Sequence, residues 1–118
     1  MKYVVGIVPP SALERVQRAL GEAEIYRLTV SEVEVVRPGE MVPPSGLARG
    51  LRLEIAVNDE FLAPAVNAFE KVAAELEKDR PAGDARASGV TRFPIQVSVL
   101  PLESAVRIRT SERGPEAI

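Results

Sequence analysis

The chain has 118 residues, enough for one domain with a modest core. Its 15 Lys and Arg stand against 17 Asp and Glu, a formal charge of −2 with a pI near 5.3. There is also no basic patch interleaved with aromatics, so the balance argues against a general nucleic-acid binder. Cysteine and histidine are both absent, which excludes disulfides, thiol nucleophiles, thiolate metal sites and the commonest general base.

Hydrophobic residues make up 46% of the chain and aromatic residues only 4%, so aliphatic side chains must fill the core. A domain of this size gains stability by oligomerising. No apolar run approaches membrane-spanning length, and no charged-then-apolar leader stands at the start. The expectation is a soluble cytoplasmic protein without membrane insertion.

Residues 2–8 are a continuous run of strand formers, consistent with a strand buried between neighbours. Pro9 and Pro10 end it, because proline cannot donate to a ladder. Ser11, with Glu14 three residues on, predicts a capping box. Leu13, Val16, Gln17 and Leu20 then follow helical spacing, with Gly21 as the stop. A second strand is expected over about 25–36, where Leu28, Val30 and Val33 mix with Thr29, Ser31, Glu32 and Glu34. Residues 37–50 read as a loop, with Arg37-Pro38-Gly39 and Pro43-Pro44-Ser45-Gly46.

A third strand over 51–57 alternates Leu51, Leu53, Ile55 and Val57 against Arg52, Glu54 and Ala56. Asn58 or Asp59 caps a second helix whose stripe is Phe61, Ala65, Phe69, Val72 and Leu76. Residues 79–93 form a second loop, rich in Gly, Pro, Asp and Arg. Ile95, Val97 and Val99 mark a fourth strand, and 105–110 a short last one. The order is βαβ, loop, βαβ plus one strand, which predicts a single α+β domain over 1–118, a ferredoxin-like βαββαβ sandwich with a short extra C-terminal strand.

Along the last strand, alternation puts Val106, Ile108 and Thr110 on one face and Arg107 and Arg109 side by side on the other. Two guanidinium forks on one face are an anion clamp for phosphate or carboxylate. The same spacing also describes a wet sheet face carrying arginines for solubility. Arg49 and Arg52 are a second candidate pair for a small anion. Glu32 and Glu34 share a strand face, and a solvated face accounts for them better than acid–base chemistry.

Ala105-Val106-Arg107-Ile108-Arg109-Thr110-Ser111-Glu112 resembles the C-terminal signature of the PII signal-transduction family, which reads like V-R-I-R-T-G-E. Three further stretches resemble the family's first three strands, in the family's order: 1–10, Leu28-Thr29-Val30-Ser31-Glu32-Val33, and Gly50-Leu51-Arg52-Leu53-Glu54-Ile55-Ala56-Val57. The chain is identified as a divergent PII-like member. The resemblance implies the same fold, a homotrimer, and an adenine nucleotide (ATP, ADP or AMP) held as an effector in clefts between subunits, with no required cofactor; the lack of histidine, cysteine and a nucleophile motif argues against a metal site and an enzyme.

Carried over residue by residue, the resemblance implies Arg107 and Arg109 as phosphate ligands, with Thr29 and Ile7 near the base. Arg37 keeps a cation at the base of the long loop, where the family's G-F-G-R-Q becomes Val35-Val36-Arg37-Pro38-Gly39. The glutamine that helps bind 2-oxoglutarate in the family is missing, and the shortened loop lacks the tyrosine that is uridylylated in some members. The family's T-G-x-x-G-D-G-K matches in part at 79–86, with Gly83, Asp84 and Arg86 as its core; the alternative match is Ser88-Gly89, with that core lost.

Two functional expectations follow. One is a regulatory module that binds nucleotide, with a small anion such as bicarbonate as a second input, and signals through residues 37–50 to an enzyme, a transporter or a carboxysome component. The other is a trimeric assembly protein that has lost the nucleotide site.

Overall fold

The computed structural model describes residues 1–35, 48–78 and 95–118. Arg37, Gly83, Asp84 and Arg86, together with Ser45, Ser88 and most of the 37–50 loop, lie outside the described residues.

The elements are β1 (Lys2–Val8), a 3-10 turn (Pro10–Ala12), α1 (Leu13–Glu22), β2 (Thr29–Val35), β3 (Ala48–Val57), α2 (Asp59–Lys78), β4 (Gln96–Pro101), β5 (Val106–Arg107), β6 (Glu112–Arg113) and a second 3-10 turn (Gly114–Ala117). The main sheet runs β2-β3-β1-β4 with every neighbouring pair antiparallel. This is the expected βαββαβ ferredoxin-like sandwich, with both helices on one face.

The register explains the core. Val4 stands opposite Ile55, Gly6 opposite Leu53 and Val8 opposite Leu51, so these side chains share the face beneath the helices. Val16, Ala19 and Leu20 of α1 and Ala65, Ala68, Phe69 and Val72 of α2 bury against them. Each large aliphatic or aromatic side chain buried here contributes about 1.5–3 kcal/mol. Pro64 sits in the early turns of α2, where the missing N–H costs less than in mid-helix.

Four local expectations are corrected. Ser11 does not cap α1: the chain leaves Pro9 in a 3-10 turn, and α1 starts at Leu13 with no side-chain cap. Gly21 does not stop α1. The helix runs to Glu22 and closes in a Schellman motif, with Ile25 N–H donating to the Leu20 carbonyl (2.9 Å), Glu24 N–H to Gly21 (3.0 Å), and Glu24 in the left-handed region at φ 62°. β2 begins at Thr29, and β3 reaches back to Ala48, because the two pair throughout, from Thr29 opposite Glu54 to Val35 opposite Ala48.

The fourth correction concerns the last strand. β5 ends at Arg107 and pairs with β6, not with the main sheet. Residues 108–111 are a turn, closed by Ser111 N–H donating to the Arg107 carbonyl at 2.7 Å, with Ser111 at φ 61°.

Neither helix packs on the opposite face of the main sheet. There Thr29, Glu54, Val5 and Ser98 form one cross-strand row, and Ser31, Arg52, Ile7 and Gln96 the next. Leu100 lies on the same face, opposite Tyr3, and is 47% exposed.

Candidate functional site

One end of the sheet opens into a cavity of about 320 Å³. The end of β3 supplies Ala56, Val57 and Asn58, the α1–β2 connection supplies Glu24, Ile25, Tyr26 and Arg27, and Phe61, Arg107 and Ile118 complete the lining. The left-handed turn at Glu24 presents Tyr26 and Arg27 at its mouth, and Tyr26 is 78% exposed. The volume lies at the lower end of small-molecule sites, and the lining mixes aromatic faces with two guanidinium groups.

Arg107 is the side chain through which this cavity meets the β5–β6 hairpin. Its Nη1 donates to Glu112 Oε1 at 3.2 Å, and its Nη2 donates to the Ala117 carbonyl at 3.4 Å. Thr110 Oγ1 donates to the same Glu112 oxygen at 2.7 Å. Arg107 Nε and Asn58 Oδ1 are buried, and among the described residues neither has a hydrogen-bond partner. Both residues line the cavity.

Arg109 does not stand beside Arg107. It lies in the 108–111 turn, exposed, and does not line the cavity. The alternation that aligned the two arginines fails because the backbone bends directly after Arg107.

Ile7 and Thr29 share the face of the sheet away from the helices, but they sit on β1 and β2 with β3 between them, and in adjacent rows. Strand spacing and rise separate them by roughly 12 Å. The two are not neighbours within one chain.

Arg49 and Arg52 are not brought together. Three residues apart on β3, they point to opposite faces of the sheet. Arg49 Nη2 lies 3.6 Å from Glu32 Oε1, and Arg52 Nε lies 2.8 Å from Glu54 Oε1. Glu54 also accepts from the Tyr3 hydroxyl through Oε2. That hydrogen bond, then burial and the Glu54 charge, raise the Tyr3 phenol above its usual value, while Arg52 opposes the shift.

Sequence reasoning missed Asn58, Tyr26, Arg27 and Glu112 as parts of this region. Local pattern marks Asn58 only as a helix-cap candidate, yet its Nδ2 donates to the Pro115 carbonyl at 3.1 Å. One signal was available for the turn: the family signature carries glycine where this chain has Ser111, the residue with positive φ.

No family model matches the chain. Its sequence is 38% identical to nitrogen regulatory protein GlnK1 of Methanosarcina mazei, over an alignment covering 100% of this chain and 97% of that protein. The chain belongs to the PII family. Nitrogen regulatory protein P-II of Rhodobacter capsulatus is 32% identical and that of Azospirillum brasilense 28%, each covering the full length of both chains. As a PII protein, the chain has a PII-like regulatory role and is not an enzyme. No helix among the described residues is long and apolar enough to cross a membrane.

Proposed function

We propose that this PII protein is a homotrimer that binds an adenine nucleotide in clefts between subunits and reports the bound state to a target protein through residues 37–50. The observation that carries the reading is the 38% identity to GlnK1 along the whole chain. Two features of the fold support it. The sheet face away from α1 and α2 carries Val5, Ile7 and Leu100 with neither of these helices over them, a surface suited to other copies of the chain. Ile7 and Thr29 lie on strands separated by β3, and in this reading a cleft between copies would set Ile7 of one beside Thr29 of another. Arg107, Arg109, Arg37 and Gly83, Asp84 and Arg86 are the phosphate-side residues of the proposal, because guanidinium groups and a glycine followed by a cation suit polyphosphate.

Calorimetric titration with ATP, ADP and AMP, each with and without bicarbonate and 2-oxoglutarate, tests this reading. Saturable binding of at least one nucleotide, altered by at most one of the two anions, is expected. The absence of heat with all three nucleotides, on folded protein, overturns it. The Arg107 guanidinium is already engaged by Glu112 and Ala117, and this favours a second reading, a trimeric assembly protein without a nucleotide site. Capture of a partner that is indifferent to ATP, ADP and AMP would identify it.

A further inference from the structure

We infer that the closing turn of the chain, Gly114–Ala117 with Glu112 before it, is an intramolecular latch that competes with an anionic ligand for Arg107. The inference rests on the nucleotide reading above. Glu112 Oε1 and the Ala117 carbonyl accept from the two terminal nitrogens of the Arg107 guanidinium, the groups that an end-on bidentate phosphate contact uses. A carboxylate on the guanidinium also neutralises the charge that attracts a phosphate. A ligand that takes Arg107 end-on through both terminal nitrogens therefore competes with both acceptors.

The turn is held at three points. Gly114 N–H donates to the Ala105 carbonyl at 2.9 Å, Asn58 Nδ2 to Pro115 and Arg107 Nη2 to Ala117. Ile118, directly after it, lines the cavity beside Arg107 and Asn58. The closed arrangement is imperfectly satisfied, because Arg107 Nε and Asn58 Oδ1 are buried without partners among the described residues. Burying unpaired polar groups opposes closure. Gly114, at φ 69° with open space around its α-carbon, is the natural hinge. The turn thus has an attachment that is specific yet weak enough for a ligand to exchange.

Glu112→Gln removes the competing charge, and Asn58→Ala removes one of the turn's three attachments without altering Arg107. Calorimetry with ADP on the full-length chain and both variants, each confirmed as folded, is the test. It is paired with hydrogen exchange of the Gly114 amide in the unaltered chain. ADP is expected to bind each variant about threefold to tenfold more tightly than the unaltered chain, the factor that the loss of one competing hydrogen bond gives. Gly114 exchange is expected to quicken when ADP is bound. Equal or weaker ADP binding in both variants overturns the latch and leaves the nucleotide reading standing. No ADP binding in any of the three chains removes the nucleotide reading, and the latch with it.

Discussion

The ring of Phe69 occupies the space that a side chain on residue 6 would need. A β-carbon on Gly6 would lie 2.5 Å from Phe69 Cε1 and 2.8 Å from Cζ, while Phe69 itself is fully buried. The strand and the helix approach this closely only because residue 6 has no side chain. Gly6→Ala is expected to destabilise the chain by about 1–3 kcal/mol, the usual cost of overpacking a well-filled core. Urea unfolding measures this, and adding Phe69→Leu should recover part of the loss.

Glu24 supplies the left-handed residue that ends α1, a position where a β-carbon is unfavourable. Ile25 and Leu20, the pair bonded across the motif, are both in or against the core. Glu24→Gly keeps every backbone bond and relieves the conformation. It is expected to stabilise the chain by about 0.5–1 kcal/mol, read as a higher unfolding midpoint with an unchanged denaturant slope.

Tyr3 and Glu54 give a pH dependence of known sign. The folded-state value of the Tyr3 phenol is raised above its ordinary 10.0, chiefly by the hydrogen bond to Glu54. The contribution of this pair is therefore fully present below pH 10 and is lost as pH rises through the higher folded-state value. Ultraviolet titration should show Tyr3 ionising late, and Glu54→Gln should bring it back toward 10. Tyr3→Phe should flatten the loss of stability above pH 10.

Much of the fold was legible because its central elements are patterned locally. The alternation of Leu51, Leu53, Ile55 and Val57 and the stripe from Phe61 to Leu76 coincide with β3 and α2. The errors fell where a distant partner decides the local structure. β3 starts three residues before Leu51 because Val33 to Val35 pair with those residues. Val106 to Thr110 alternates like a strand, but the bond from Ser111 to Arg107 bends it. The surroundings of the candidate site were less legible. The chemistry of Arg107 and its place in a motif mark it in the sequence, whereas its engagement by Glu112 and Ala117 depends on the 108–111 turn, whose one trace in the sequence is Ser111 at the place of the family's glycine.

The sheet face carrying Val5 and Ile7 separates assembly from folding. Val5 is partly buried there and belongs to no part of the helix-side core. Val5→Glu is expected to leave the helical circular-dichroism signal unchanged while shifting the particle in sedimentation from three chains to one. A variant that stays assembled would place the interface elsewhere.

In the proposed function, three copies of this chain build the nucleotide sites together. Native mass spectrometry of the purified protein with excess ADP counts chains and nucleotides in the same particle. A three-chain particle carrying up to three ADP is expected, with no ADP retained on single chains. Single chains that carry ADP, or three-chain particles that carry none, would contradict it.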